Sequence, residues 1–203
     1  MSKKKGLFIT FEGIDGCGKT TQMELLRDYF EKMGKTVIMT REPGAMGLGE
    51  KLRKILLNYE GEVSPVCESF LFLADRAQNV DTIIKPAVSR GDIVLCDRHA
   101  DSTLAYQGYG RELDLERIKM LNDIAVSGLK PDLTFVFDID IKTAQKRLQS
   151  SKDRMESLGA EFFERVRRGY LKIAENEPER VKVLDAEKPV EEIHKELLGY
   201  MPF

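Results

Sequence analysis

The sequence of 203 residues contains only three cysteines, Cys17, Cys67 and Cys96, too few and too scattered for a disulfide framework or a zinc site. No apolar run approaches the roughly 18 residues that a membrane-spanning helix needs. The basic start Lys3-Lys4-Lys5 is followed by an apolar stretch, Leu7 to Phe11, that ends at Glu12 and is too short for a signal peptide. There is no internal repeat, low-complexity tract or linker. Nor does either sign of charge dominate: 32 Lys and Arg stand against 34 Asp and Glu, a net charge of −2, which argues against a general binder of nucleic acid or membrane surfaces. These absences predict a reduced, cytoplasmic protein. At about 150 residues per domain, they predict a single domain whose 42% hydrophobic content can bury a core.

The near-neutral total hides a local excess. Between Lys142 and Lys172 nine basic residues face four acidic ones, so this window is +5 and the remainder of the chain is −7. A solvated, salt-bridged helix face is the ordinary reading of such a window.

Short β-prone runs alternate with helical patterns. Strands are expected at Leu7–Phe11, Lys35–Thr40, Ile93–Cys96, Leu133–Phe137 and Val181–Leu184. Met23, Leu26, Phe30 and Met33 mark a helix stopped by Gly34, and Leu48, Leu52, Ile55 and Leu56 a shorter one. Ser64-Pro65 pairs a capping hydroxyl with a first-turn proline, opening a helical stretch towards Arg90 that should bend near Pro86. A further helix is expected from Asp114 to Gly128, and a terminal one carries Val190, Ile193 and Leu197. Strands that are continuously apolar rather than alternating belong to a parallel sheet covered on both faces, so the fold class is α/β.

Gly13-Ile14-Asp15-Gly16-Cys17-Gly18-Lys19-Thr20 matches G-x-x-x-x-G-K-[ST] at every fixed position and lies between a strand and a helix. Its glycines let backbone N–H groups converge on phosphate oxygens at a helix N-terminus. Lys19 is placed to reach the β- and γ-phosphates, and the Thr20 hydroxyl to bind Mg²⁺. The loop predicts nucleoside triphosphate binding and leaves the chemistry open. A small GTPase would need an Asn-Lys-x-Asp motif, which is absent, and a partition ATPase would need a second lysine where Ile14 and Asp15 stand. A phosphotransferase to a small acceptor remains, and it requires a second site.

Arg41, after the second strand, and Asp97-Arg98-His99, after the third, fall on the same carboxyl edge of a parallel sheet as the phosphate loop. The planar fork of arginine suits a phosphate clamp. With these pieces in hand, the sequence closely resembles the thymidylate kinases. The matching segments are FEGIDGCGKTT, TREPG, FLFLADR, DRHADSTLAYQG and VLDA, in order from Phe11 to Ala186.

The resemblance implies a P-loop, nucleoside-monophosphate-kinase-like three-layer fold with a five-stranded parallel sheet and a short lid near residues 147–158. It implies transfer of phosphate from ATP–Mg²⁺ to dTMP in dTTP biosynthesis, by a homodimer that pairs through helices. Residues Gly13 to Thr20, with Thr21, would hold ATP. Phe72 would stack on thymine, Arg76 and Thr103 would bond its edge with Gln107 nearby, and Tyr106 would pack against the deoxyribose and crowd a 2′-hydroxyl. Asp15 would accept from the 3′-hydroxyl. Arg98 and Arg41, with Arg53 as a weaker candidate, would hold the acceptor phosphate, and Asp97 would hold Mg²⁺ directly or through water. His99 and His194 are read as structural, and Asp185-Ala186 as a neighbour of the adenine.

Two polyanions must be aligned for in-line transfer, and one further cation over the transferring group is expected. Thymidylate kinases place it next to the loop aspartate or in the lid. Here Gly16 follows Asp15, so the lid must supply it: Arg154 first, then Arg147, then Lys152. The lid, RLQSSKDRME, departs from arginine-rich bacterial lids in holding fewer arginines. Two alternatives stay open on the sequence: a kinase of another nucleotide or nucleoside, and a non-catalytic ATP-dependent switch.

Overall fold

The computed structural model describes residues 6–148, 154–155 and 158–201. Leu7–Glu12 forms β1, the central strand of a five-stranded sheet with β2 (Val37–Arg41), β3 (Ile93–Asp97), β4 (Leu133–Asp138) and β5 (Val181–Asp185). The spatial order is β2-β3-β1-β4-β5 and every pairing is parallel. The three inner strands are almost wholly buried, which is why they read as continuous apolar runs, whereas edge strands β2 and β5 each leave residues exposed.

Alternate side chains of the inner strands enter two cores. Ile9, Phe11, Leu95 and Phe135 point into the larger one with Leu26 and Phe30 of α1 (Lys19–Lys32) and Val166 and Ile173 of α8 (Ala160–Asn176). Phe8, Val94 and Cys96 face the other way, onto Val80, Ile84 and Val88. The sheet therefore lies between two helical layers.

The stretch opened by Ser64 begins as expected: the Cys67 N–H donates to Ser64 Oγ at 3.3 Å, capping α3 (Pro65–Asn79). It then widens into a π-helical turn, Val80–Ile84, before α4 (Lys85–Arg90). The ring of Pro86 crowds the carbonyl four residues earlier, at Thr82, and the wide turn relieves that clash. Met33, Leu48 and Ile55 fit the apolar period yet are exposed; Met33 lies just past the last turn of α1. The second helix, α2, spans Leu48–Asn58, and buries Leu52 and Leu56. After β3 come α5 (Ala100–Thr103) and a second π-helical turn, Leu104–Gly110, then α6 (Leu115–Val126), whose N-cap Asp114 accepts from two backbone N–H groups. The elements α7 (Ile141–Arg147) and α9 (Val190–Leu198) complete the chain.

β1 pairs with β3 on one side and β4 on the other, and the chain winds in opposite directions from it. At such a switch point the carboxyl ends of the strands open into a crevice. The segments following β1, β2 and β3 all reach that edge.

Candidate active site

The loop from Gly13 to Gly18 leaves β1 and becomes α1 at Lys19. Gly13, Gly16 and Gly18 have φ of 134°, 83° and 92°, a region that disfavours side chains. A Cβ at Gly16 would also lie 2.5 Å from the Ala144 carbonyl oxygen on α7, so an arginine beside Asp15 has no room here. Lys19 is buried and its Nζ donates to the carbonyls of Gly13 (3.0 Å) and Ile14 (3.2 Å), holding the ammonium across the mouth of the loop.

Asp15 points out of the loop towards Arg98. The guanidinium Nη2 donates to Asp15 Oδ1 at 2.7 Å, and Lys19 Nζ lies 4.0 Å from the same oxygen. Burial alone would raise the Asp15 pKa, but Arg98 and Lys19 outweigh it and hold the carboxyl at about 2. Arg98 sits at φ 68°, a left-handed backbone that costs a non-glycine residue about 1–3 kcal/mol. Its N–H donates to the Phe11 carbonyl at 2.9 Å, so the strained residue is tied to the strand that carries the loop. Its guanidinium lies 5.0 Å from the centre of the Tyr106 ring.

Beneath Arg98 lies Glu12, wholly buried. It accepts from Ser102 Oγ (2.5 Å), Tyr170 Oη (3.0 Å) and the His99 N–H (2.8 Å). Burial, then the neighbouring Asp101 charge, pushes its pKa up to about 7. Ser102 and Tyr170 in turn accept from Arg98 Nη1 at 3.4 and 3.3 Å.

A cavity of about 280 Å³ opens beside these groups. Asp15, Thr20, Asp97, Arg98, Arg41 and Arg53 line it together with Phe72, Arg76, Thr103, Tyr106 and Gln107. Arg76 is only 1% exposed, and its Nε donates to Glu42 Oε2 (2.8 Å), Nη1 to Thr103 Oγ1 and Asn122 Oδ1 (2.7 Å each) and Nη2 to the His99 carbonyl (2.7 Å). A guanidinium has five N–H groups, so one Nη2 hydrogen is left for a bound molecule. Burial opposes the ionisation of Glu42, but His99 and Arg76 beside it pull its pKa down to about 2. The Glu42-Pro43 bond that carries this carboxylate to the cavity is cis.

The geometry is a glycine-rich loop of the phosphate-binding pattern that opens into one cavity lined by arginines, aromatic rings and an amide. Comparison with known proteins agrees. The family model "Thymidylate kinase" matches residues 11–197. A thymidylate kinase of Sulfurihydrogenibium sp. is 50% identical over 191 residues, covering 94% of each chain, and one of Desulfovibrio desulfuricans is 46% identical over 197 residues, covering 92% and 91%. The crystal structure of thymidylate kinase from Ehrlichia chaffeensis superposes with a TM-score of 0.80 at 38% identity, covering 96% of this chain and 97% of that one.

The chain belongs to the thymidylate kinase family.

Within this member of the family, every residue expected at the dTMP site lies on the one cavity: Asp15, Arg41, Phe72, Arg76, Arg98, Thr103, Tyr106 and Gln107. Phe72 belongs to neither apolar core and is half-buried at the cavity wall. Arg41 donates to the Gly44 carbonyl (3.2 Å) and Arg53 to the Pro43 carbonyl (2.8 Å), which steadies both around the turn after β2.

The described arginines of the expected lid, Arg147 and Arg154, do not line this cavity. Arg154 is held by Glu68 and the Leu56 carbonyl, at 2.8 and 2.7 Å, and Arg147 donates to the Ala186 carbonyl at 3.0 Å. Lys152 lies outside the described residues. Of the later basic residues, Arg167 pairs with Asp138 at the end of β4 and Arg165 with the Gly110 carbonyl, both half-buried, whereas Arg168 and Lys172 stay on the exposed helix face, Lys172 in a salt bridge to Glu175.

Sequence reasoning missed Leu57, Ser102 and Met155 on the cavity wall and Glu12, Glu68 and Tyr170 behind it. Ser102 sat inside a recognised motif; Leu57 and Met155 carry no local signal, because they reach the site by tertiary packing alone.

Proposed function

We propose that the protein transfers the γ-phosphoryl group of ATP to the 5′-phosphate of dTMP, giving dTDP and ADP, with the sugar and base in the cavity between Asp15 and Gln107. The observation that carries this reading is the continuity of that cavity with the phosphate loop. Phosphoryl transfer asks for alignment and charge neutralisation more than for covalent chemistry. Lys19 and the loop N–H groups take the donor phosphates. Arg98, with Arg41 and Arg53 across the opening, takes the acceptor phosphate, and its bond to Asp15 fixes the guanidinium before substrate arrives. Phe72 offers an aromatic face to thymine, while the spare Nη2 hydrogen of Arg76 faces the base edge.

A hard divalent cation fits the end of the cavity near the loop. Asp97 Oδ1 is buried without a hydrogen-bond partner among the described residues, and the Thr20 hydroxyl lines the same space. Oxygen ligands of this kind suit Mg²⁺. Thr20 and Asp97 would hold it, and when bound it neutralises phosphate charge during transfer. Among the described lid cations, Arg147 is bonded to a carbonyl and not a carboxylate, so its charge remains available to the transferring group.

The partner in solution is a second copy of the chain. Val66 and Phe70 on α3, and Met120 and Ile124 on α6, are exposed one turn apart on two helices that pack together, and they supply the helical face that the family resemblance implies for pairing. Sedimentation equilibrium should give twice the 23.1 kDa chain mass.

A coupled ADP-release assay across dTMP, dUMP, dCMP, dGMP and AMP tests the activity. dTMP should give the highest kcat/KM, with dUMP about 10–200-fold lower because one methyl group separates them. Another monophosphate in first place would overturn the reading, and ATP hydrolysis without stimulation by any monophosphate would favour a switch.

A further inference from the structure

Glu68 lies in the first turn of α3, where an acidic residue ordinarily faces solvent and the helix dipole. Here its side chain is completely buried. Oε1 accepts from Gln107 Nε2 at 3.0 Å and Arg111 Nε at 3.2 Å; Oε2 accepts from Arg111 Nη2 at 2.9 Å and Arg154 Nη1 at 2.8 Å. One carboxylate thus ties α3 to the wide turn that carries Gln107 and to the Arg154–Met155 pair. Burial opposes its ionisation, but Arg111 and Gln107 bonds outweigh that and draw the Glu68 pKa down.

An ionised carboxylate only accepts hydrogen bonds, so the atom of Gln107 that faces Glu68 is the NH₂ group. The carbonyl oxygen of Gln107 is left to the cavity. Thymine carries an N–H at ring position 3, whereas cytosine carries a bare acceptor there. A fixed amide oxygen welcomes the first and opposes the second with an unpaired acceptor.

We propose that Glu68 is a specificity-determining positioning residue, which fixes the polarity of the Gln107 amide and thereby sets the preference for thymine over cytosine. This rests on the reading of the cavity as the dTMP site. Arg154, on the same carboxylate, acts as a strut: it bonds the Leu56 carbonyl, its N–H donates to the Leu57 carbonyl at 3.2 Å, and Met155 beside it closes the cavity wall.

Glu68→Gln inverts the arrangement. Arg111 Nη2 and Arg154 Nη1 both donate at the Oε2 position and claim the new amide oxygen there, so the NH₂ takes the Oε1 position at the loss of the Arg111 Nε bond, faces Gln107 and turns that residue's oxygen away from the base. The ratio of kcat/KM for dTMP over dCMP should fall about tenfold or more in Glu68→Gln. It should stay near the wild-type ratio in Glu68→Asp, which keeps a carboxylate, and in Arg154→Ala, which should raise KM for both monophosphates alike. An unmoved ratio in folded Glu68→Gln, or an equal fall in Glu68→Asp, overturns the proposal while wild-type dTMP turnover still supports the site. Wild-type protein that fails to use dTMP overturns the site reading and the proposal with it. A neutron structure of the wild-type complex with dTMP reads the amide without any variant: deuterons directed at Glu68 support the proposal, and deuterons directed at the base overturn it.

Discussion

Lys19 and Glu12 lie seven residues apart in sequence, and both are buried charges whose worth depends on what surrounds them. Lys19 spans two loop carbonyls, so its removal takes away a phosphate-facing cation and a loop fastening together. Lys19→Ala should lose nearly all turnover in the ADP-release assay while the far-ultraviolet circular dichroism stays native, since the cores behind the loop are untouched. Glu12 behaves differently. Its folded pKa of about 7 lies above the ordinary 4.5, so its contribution to stability is complete below about pH 4.5 and is lost as pH rises through 7. Glu12→Gln removes the titration and can still bond His99, Ser102 and Tyr170. The melting temperature of the wild type should therefore fall relative to Glu12→Gln between pH 6 and pH 8, measured by calorimetry; parallel profiles would show that Glu12 does not titrate in this range. In the sequence, Glu12 looked like the residue that merely ended an apolar run. Nothing local shows that it turns inward beneath Arg98, because three of its partners come from about 90 to 160 residues away.

At the scale of elements, legibility followed the chemistry of the buried face. The five strands, α1 and α6 were readable because apolar residues turn inward and their ends carry glycine or capping groups; α3 buries Glu68, Ser69, Asp75, Arg76 and Asn79 around Leu73 and was readable from its Ser64-Pro65 start alone. The segment from Ala100 to Gly110 was not readable as helix: Asp101, Ser102, Thr103 and Gln107 are buried alongside Ala105 and Tyr106, so polar and apolar residues turn inward together and no apolar period shows. Such a mixture suits a cavity wall, where inward polar groups must meet partners. The lid shows the other limit. Its cations were countable in sequence, but their destinations depend on distant acceptors: Glu68 for Arg154, Ala186 for Arg147. Arg154 is spent on a buried carboxylate, which leaves Arg147 as the described lid arginine able to swing over a transferring phosphoryl group. Arg147→Ala should lower kcat on the order of 10³-fold, as arginine fingers do, with little change in KM for dTMP. If steady-state kinetics keep Arg147→Ala within about fivefold of wild type, the charge does not come from this arginine.

For the whole molecule, the parallel sheet decides the site by converging chain segments that are far apart in sequence. The cavity draws on Asp15 from the phosphate loop, Arg41 at the end of β2, Phe72 and Arg76 on α3, Arg98 after β3, and Met155 beyond α7. A nucleotide seated there touches all of them and therefore stabilises the folded chain as a unit, by about 2.7 kcal/mol at a concentration of 100 times its Kd. For a chain of this size each kcal/mol raises the melting temperature by about 2–4 °C, so dTMP alone should raise it by about 5–11 °C. AMP at the same concentration should give a smaller shift, since in the proposed site its purine would meet Arg76 and Gln107 at an edge suited to a pyrimidine. Equal shifts for dTMP and AMP in differential scanning calorimetry would mean that the arginines alone capture the phosphate and that the Phe72–Gln107 end of the cavity contributes no recognition.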